Sequence, residues 1–212
     1  MNSLINNFKQ VKTLINNNKV NIIAVSKTFQ YEYIKPLVDY GHKHFGENKV
    51  QEAIIKWSKA KDQIPEFNLH MIGRLQSNKA KDAIKLFDYI HSLDSPKLAN
   101  ILSKFEHSLN LKRKYFIQIN IKNEKQKSGI KIEQVDEFYN YCTKTLKLNI
   151  IGLMAIPPVD GNQSNYFKLL MQLNESLGLL ELSMGMSEDF KEALKYKTTF
   201  VRIGSAIFGK RN

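Results

Sequence analysis

The 212-residue sequence predicts a parallel (β/α)8 barrel of the TIM type, preceded by one additional helix. Apolar, strand-like runs alternate with helical patterns along nearly the whole chain, and this strand-then-helix unit occurs eight times. The length suits one large core better than two small ones. We therefore expect an α/β protein with a single domain over residues 1–212 and no second domain.

The leading helix is predicted over residues 1–18, where Leu4, Ile5, Phe8, Val11, Leu14 and Ile15 recur at helical spacing and the asparagines at 16–18 act as a stop. The strand segments, in chain order, are NIIAVS, KHFG, NLHMIG, YIHSL, KYFIQINI, NIIGLM, LELSMG and TFVRIG. The helical segments that follow them are residues 31–40, 48–61, 76–87, 95–108, 131–146, 162–178, 187–195 and a short terminal piece. The alternative is a doubly wound open sheet, in which KHFG and LELSMG would not be strands.

Composition narrows the class of protein. Hydrophobic residues make up 42% of the chain and charged residues 25%, which is typical of a soluble globular protein. The formal net charge of +12 could indicate a nucleic-acid partner, but the lysines are scattered and form no basic block with interleaved aromatic residues. No apolar run is long enough to cross a bilayer, and the N-terminus lacks a signal-peptide pattern. We expect a cytoplasmic monomer that binds neither nucleic acid nor membrane.

Metal binding and redox chemistry have little support. Cys142 is the single cysteine, so no intrachain disulfide can form, and its place in a helical segment favours a buried, inert thiol. His42, His44, His70 and His91 lack carboxylate or cysteine partners at ligand spacing. We interpret these histidines as core or surface residues and expect no metal site.

A lysine at the end of the first strand is the clearest chemical feature. In a parallel barrel the active groups lie at the carboxyl ends of the strands, and NIIAVS leads directly into Lys27. A lysine held in the barrel mouth is partly desolvated, which lowers its pKa and favours the nucleophilic amine. Lys27 is therefore a candidate Schiff-base lysine for a carbonyl substrate or for pyridoxal phosphate. The alternative is a lysine that bends out to solvent.

The last two strands lead into residues suited to a phosphate group. Gly204 and Ser205 follow the eighth strand, and Ser183, Gly185 and Ser187 lie in or after the seventh. Barrels commonly bind phosphate at these two loops, where free backbone N–H groups face the anion. Ser187 could equally serve as a helix N-cap.

Arg202 lies on the eighth strand, which a closed barrel places beside the first. A permanent cation opposite the pyridine nitrogen of pyridoxal phosphate would keep that nitrogen unprotonated. A structural salt bridge at the barrel mouth is the alternative for this arginine.

These segments resemble the pyridoxal phosphate homeostasis protein family. The resemblance is carried by AVSKT, FGEN, HMIG, LQSNKAK, HSLDSPKLA, KSGI, GLMAIP, LSMGMSEDF and TFVRIGSAIFGKR, and it runs in order from about Val20 to Arg211. The family is similar to the N-terminal barrel of alanine racemase. The resemblance implies a pyridoxal phosphate carrier that holds the cofactor as a Schiff base on Lys27 and supplies it to apo-enzymes.

The resemblance also assigns further site residues. It implies Asn48 near the cofactor ring, Arg202 as the partner of the pyridine nitrogen, and phosphate contacts from the serines of LSMGMS and from Gly204 and Ser205. Lys127 in KSGI is implied as an accessory lysine near the cofactor mouth.

Three positions depart from the family pattern. Lys49 replaces an aromatic residue, Phe29-Gln30 replaces a Lys-Pro-like continuation, and KYKTTF lacks a glycine. The first two could change access to the mouth.

A pyridoxal phosphate-dependent amino-acid racemase is the alternative function. Racemases of this barrel type resemble proteins with a second β domain and a partner that supplies a tyrosine base opposite the lysine. With one lysine and no opposing base, racemisation by two bases lacks its second proton carrier. Tyr31 and Tyr33 are the nearest tyrosines in sequence, and helix packing or surface exposure explains them more simply.

Overall fold

The computed structural model describes residues 3–63, 66–124 and 126–209, apart from the side chains of residues 59 and 61–63. Within these ranges eight parallel strands pair in chain order and close into a barrel, with the eighth strand beside the first. The strands are β1 Asn21–Val25, β2 His44–Glu47, β3 Asn68–Met71, β4 Tyr89–Leu93, β5 Lys114–Ile119, β6 Asn149–Ala155, β7 Glu181–Met186 and β8 Phe200–Ile203. The predicted barrel is confirmed, and the open-sheet alternative is wrong.

Helices cover the outside of the barrel. They are α1 Ser3–Ile15, α2 Tyr31–Asp39, α3 Val50–Gln63, α4 Ala80–Leu86, α5 Pro96–Leu109, α6 Val135–Asn140, α7 Gln163–Ser176, α8 Phe190–Ala193 and α9 Ser205–Phe208. The predicted leading helix is present as α1, and it ends where Asn16 adopts a left-handed conformation with φ 43°. In the described part of the chain, no helix is long and apolar enough to span a membrane.

The strands bury both of their faces, as parallel strands in a barrel must. Alternate residues point into the barrel, where Ile23, Tyr89, Phe116, Met154 and Phe200 pack together. The other face packs against the helices in a larger apolar cluster that contains the fully buried side chain of Trp57. This alternation decides which residues reach the mouth of the barrel.

Glycines allow close contacts at β2 and at β7, the two strands that the open-sheet alternative would omit. In β2, Phe45 is fully buried among the helices, while Gly46 faces inward at a point where a Cβ would lie 2.7 Å from Cγ2 of Ile23. In β6, the inward Gly152 meets β7 so closely that a Cβ would lie 1.9 Å from the carbonyl oxygen of Glu181. The barrel therefore closes at these strands because a glycine allows the close approach.

Two predicted helices differ from the structure. Residues 131–146 form a 3₁₀ turn, then α6, then a π turn over Tyr141–Thr145, in which Leu146 N donates to Tyr141 O at 3.1 Å. The segment 187–195 becomes helical at Phe190, because Asp189 first accepts a hydrogen bond from Met186 N at 2.6 Å through its carboxylate.

Candidate functional site

Lys27 lies at the mouth of the barrel because of the strand alternation. Ile23 and Val25 point inward from β1, so Lys27, two residues further on, continues the inward face past the end of the strand. It lines a cavity of about 1270 Å³, into which loops from six of the strands project. The next residue, Thr28, has φ 73°, a conformation that strains a β-branched side chain and turns the chain sharply after Lys27.

A buried ionic cluster holds the backbone just before Lys27. Glu47 Oε1 accepts hydrogen bonds from Ser26 Oγ at 2.7 Å, from Lys56 Nζ at 2.8 Å and from Trp57 Nε1 at 3.0 Å. Lys56 Nζ also donates to the carbonyl oxygen of Ser26 at 2.7 Å. Glu47 is fully buried and Lys56 is 8% exposed, so the pair fixes the end of β1 from the helix side. This cluster was not predicted from the sequence.

Asn48, which the resemblance places near the cofactor ring, also lines the cavity. Its side-chain Oδ1 is buried and has no hydrogen-bond partner within the described residues. Gly73, at the end of β3, makes this placement possible, because a Cβ there would lie 2.4 Å from the carbonyl oxygen of Asn48. A buried acceptor without a donor among the described residues is open to a hydrogen bond from a water molecule or a ligand.

The loops after β7 and β8 meet on the side of the cavity next to Lys27. Ser187, Gly204 and Ser205 all line it, and Ser187 Oγ accepts hydrogen bonds from Gly204 N at 3.3 Å and Ala206 N at 3.4 Å. The hydroxyl therefore ties the two loops together. Ser187 is not the N-cap that the sequence left open, because α8 begins at Phe190 after Asp189.

Arg202 closes the inner wall of the cavity and is 4% exposed. One terminal nitrogen donates to Ser183 O at 2.9 Å and to Ser183 Oγ at 2.7 Å, and the other donates to Ala155 O at 2.9 Å. Burial lowers the pKa of this guanidinium to about 10, and the charge of Asp189 opposes that shift. These contacts account for three of the five N–H donors of an arginine. The sequence left a salt bridge open as the alternative role of Arg202. The hydrogen bonds described here go to carbonyl and hydroxyl oxygens, which are neutral, and not to a carboxylate.

Two predicted site residues lie outside the cavity lining. Ser183 is fully buried deeper in the barrel and contacts Arg202 and His91. Lys127 lies in the loop after β5, 38% exposed, and pairs with Glu124 at 2.8 Å. The structure thus brings together Lys27, Asn48, Ser187, Arg202, Gly204 and Ser205, while Ser183 supports Arg202 from below.

The departures from the family pattern have separate consequences. Phe29 lines the cavity and stacks on Tyr33 and on Phe208, each at 5.1 Å between ring centroids. Lys49 pairs with Glu52 at the surface. Lys197 occupies a left-handed position with φ 54°, where a glycine is strain-free. Only Phe29 of these contacts the cavity.

The histidines and the cysteine were assigned to core or surface, and the structure adds detail. No group of three or more histidine, cysteine or acidic side chains could hold a metal ion among the residues that the structure describes. Burial raises the pKa of the Cys142 thiol to about 12, which leaves it protonated and unreactive. His44, His70 and His91 form a hydrogen-bonded series inside the barrel, and this series was not predicted from the sequence.

The family model described as alanine racemase, N-terminal domain, matches residues 1–212 of this chain. This match agrees with the barrel fold and with the lysine at the mouth of the barrel. Curated relatives called pyridoxal phosphate homeostasis protein include one from Aquifex aeolicus (strain VF5), 36% identical over 203 residues, covering 92% of this chain and 88% of the relative. One from Escherichia coli (strain K12) is 33% identical and covers 100% of this chain and 98% of the relative. The chain belongs to the alanine racemase N-terminal domain family and, within it, groups with the pyridoxal phosphate homeostasis proteins.

Solved structures agree with this placement. PipY of Synechococcus elongatus PCC7942, without PLP, superposes with a TM-score of 0.89 and 32% identity over 96% of this chain and 99% of PipY. PipY with PLP bound gives a TM-score of 0.88 at 30% identity, covering 97% of this chain and 100% of PipY. Alanine racemase of Clostridium difficile 630 shares the fold, with a TM-score of 0.78 at 17% identity, and this chain covers 57% of it.

Proposed function

We propose that this protein binds pyridoxal 5'-phosphate in the cavity at the barrel mouth and holds it as a Schiff base on Lys27. The observation that carries the proposal is the convergence of Lys27, Arg202 and the Ser187–Gly204–Ser205 loops on one cavity. The amine nitrogen of Lys27 adds to the aldehyde carbon, and one molecule of water leaves as the C=N bond forms.

The residues of the cavity fit this cofactor in three ways. The unsatisfied Oδ1 of Asn48 offers an acceptor for a polar group of the ring. Arg202 retains two N–H donors beyond its described protein contacts, and a guanidinium has no acceptor atom. Ser187 and Ser205 supply hydroxyl groups for the phosphate, and the backbone N–H of Gly204, which donates to Ser187 Oγ at 3.3 Å without the cofactor, would have to turn to the phosphate. Relatives named for pyridoxal phosphate homeostasis, and PipY with PLP bound, support the same assignment.

We further propose that the protein is a non-catalytic carrier that buffers pyridoxal phosphate and supplies it to apo-enzymes. Racemisation needs a second proton carrier opposite the lysine. The nine tyrosines of the chain all fall within the described ranges, and none of them lines the cavity. Tyr33 instead donates through its hydroxyl to Phe208 O at 3.1 Å, and Tyr31 packs edge-on against Trp57. Both serve helix packing.

The binding proposal is tested by borohydride trapping. Purified protein mixed with pyridoxal phosphate should absorb in the visible, and reduction followed by peptide mapping should place the adduct on residue 27. The Lys27→Ala variant should lose the adduct, whereas Lys49→Ala, which removes an exposed lysine outside the cavity, should keep it. An adduct mapped to another lysine, with residue 27 unmodified, would overturn the proposal.

The carrier role is tested by two measurements on the loaded protein. Mixed with an apo-enzyme that requires pyridoxal phosphate, it should restore activity faster than the same total concentration of protein denatured and refolded without cofactor. Alanine and other amino acids should show no racemisation above the Lys27→Ala background. Robust turnover that disappears in Lys27→Ala would instead establish an enzyme.

A further inference from the structure

Three imidazoles lie in series inside the barrel. His44 of β2, His70 of β3 and His91 of β4 occupy inward positions on neighbouring strands, and the alternation of those strands brings their rings together. His44 Nδ1 lies 3.0 Å from His70 Nε2, and His70 Nδ1 lies 2.9 Å from His91 Nε2. His70 and His91 are fully buried, whereas His44 lines a second cavity of about 670 Å³ at the amino-terminal end of the barrel.

The series continues to the cofactor cavity. His91 Nδ1 lies 2.9 Å from Ser183 Oγ, and that oxygen accepts a hydrogen bond from Arg202 at 2.7 Å. A guanidinium can donate but cannot accept, so the direction of this last hydrogen bond is fixed. The imidazoles have no such constraint, because either ring nitrogen of a neutral histidine can carry the proton.

The fixed end determines the direction of every other hydrogen bond. Since Ser183 Oγ accepts from Arg202, its own proton is free to be donated, and its described neighbour with acceptor capacity is His91 Nδ1. If His91 Nδ1 donated instead, the Ser183 hydroxyl would be buried with no acceptor among its described contacts. His91 therefore carries its proton on Nε2 and donates to His70 Nδ1, and His70 in turn donates to His44 Nδ1.

We propose that Arg202, Ser183, His91, His70 and His44 form one polarised hydrogen-bond chain, with all three imidazoles in the neutral Nε2–H form, and that this chain positions the Arg202 guanidinium at the cofactor cavity. His44, which carries the last donor on Nε2, lines the second cavity, where water can accept. Ser183 and the histidines are positioning residues, since none of them lines the cofactor cavity.

The surroundings keep the chain neutral and its rings fixed. Tyr89 stacks on His70 at 4.3 Å and Phe116 stacks on His91 at 4.2 Å. The groups that face the chain, besides its own imidazoles, are His42 near His70 and several cations: Lys43 and Lys114 near His44, Lys114 near His70, and Arg202 near His91. Burial is the main reason that the pKa of His70 and of His91 lies well below 6.5 and that the pKa of His44 is lowered to about 4. The neighbouring charges lower these pKa values further.

The direction of the chain is tested on the protein without cofactor, so the result does not depend on the proposed function. Long-range ¹H–¹⁵N correlation spectra of histidine-labelled protein at pH 7 should show His44, His70 and His91 as neutral Nε2–H forms. Ser183→Ala removes the hydroxyl that sets the direction, and His91 should then populate both neutral forms. A charged or Nδ1–H ring at His70 or His91 in the wild type would overturn the proposal.

The positioning role is tested by interrupting the chain two links away from Arg202. His70→Phe keeps a ring to stack on Tyr89 but cannot hydrogen-bond, whereas His70→Gln can accept from His91 and donate to His44. The Arg202 Nε–H signal of the protein without cofactor, assigned by Arg202→Lys, should broaden or shift in the Phe variant and return to its wild-type position in the Gln variant. Met154→Leu, a volume-conserving change in the same interior layer, is the control for packing alone.

The final readout rests on the proposed function that Arg202 contacts the cofactor. The dissociation constant for pyridoxal phosphate should rise about tenfold in His70→Phe and stay within about threefold of wild type in His70→Gln. If the Phe variant keeps both the wild-type Arg202 signal and the wild-type affinity, the positioning role is wrong. If the wild-type protein does not bind pyridoxal phosphate, the proposed function fails, while the NMR measurements still decide the chain.

Discussion

The buried ionic cluster next to Lys27 allows a test of how much the Glu47–Lys56 pair contributes to the stability of the barrel mouth. Glu47 is fully buried, and a single carboxylate oxygen accepts hydrogen bonds from Ser26, Lys56 and Trp57. In Glu47→Ala the ammonium of Lys56, itself 8% exposed, keeps the carbonyl oxygen of Ser26 but loses its counter-ion. We expect this uncompensated buried charge to lower the free energy of unfolding by about 3–5 kcal/mol.

The assay is equilibrium unfolding in urea, with thermal unfolding as a second probe. For a chain of this size the expected cost corresponds to a fall in midpoint of roughly 10 °C. Asp39→Ala is the matched control, because it breaks the Lys35–Asp39 pair, whose side chains are 54% and 59% exposed, and should leave the midpoint unchanged. The double variant Glu47→Leu/Lys56→Met should recover most of the lost stability, since apolar side chains replace both buried charges.

Two results would refute this reasoning. One is a Glu47→Ala variant within about 1 kcal/mol of wild type at an unchanged slope of free energy against urea, which would mean that the buried pair contributes little. The other is a double variant as unstable as the single one, which would assign the loss to packing around Trp57 rather than to the orphaned ammonium.

Four further outcomes follow from individual residues. Gly152→Ala should cost several kcal/mol or prevent folding, because its Cβ would lie 1.9 Å from a backbone oxygen of β7; expression and urea unfolding measure this. Lys197→Gly should raise stability by about 0.5–1 kcal/mol, because it relieves a left-handed conformation; an unchanged or lower urea midpoint would contradict it. Cys142 should react with a thiol reagent in urea but not in the native protein, given its pKa of about 12. Burial lowers the pKa of His42 to about 4, so below pH 6.5 the unfolded chain binds more protons at this residue; His42 should account for about 2 kcal/mol of the stability lost between pH 7 and pH 5, and urea unfolding of His42→Gln should show a loss smaller by about that amount.

The barrel could be predicted because its signals are local. Each strand shows as a short apolar run, and β4 was placed at residues 89–93, where the structure has it. The boundaries that differ lie where a tertiary contact decides them. At α8, for example, the carboxylate of Asp189 engages Met186 N and delays the start of the helix to Phe190. A sequence pattern does not encode that competition.

The part of the site that follows from strand direction was also predictable. Lys27 and Arg202 lie on the inward faces of adjacent strands, so closing β8 against β1 brings both to one cavity. The Glu47 cluster was not predictable in this way, because it depends on how α3 is rotated against β2. The nine-residue spacing of Glu47 and Lys56 does not specify that rotation.

The imidazole chain could be predicted in part: the contact between the rings follows from the strands, but the direction of the hydrogen bonds does not. His44 and Gly46 share the inward face of β2, and the register places His70 opposite Gly46, so the alternation could have shown that the rings meet. What the sequence does not contain is the direction of the hydrogen bonds, which depends on the contact between Arg202 and Ser183 across β7 and β8. Taken one at a time, these histidines show only the absence of metal-ligand spacing, and their contact appears only when the strands are paired.

Arg202 is a buried cation that lines the cavity. Its described protein partners are carbonyl and hydroxyl oxygens, so no contacting carboxylate neutralises it, and its pKa is lowered to about 10 by burial. A buried cation with neutral partners is costly, and an anionic ligand beside it offsets part of that cost. A phosphate-bearing cofactor would therefore stabilise the loaded protein relative to the empty one by an amount that depends on its free concentration. For the proposed carrier role, this linkage means that the bound fraction would fall as a competing apo-enzyme lowers the free concentration of the cofactor.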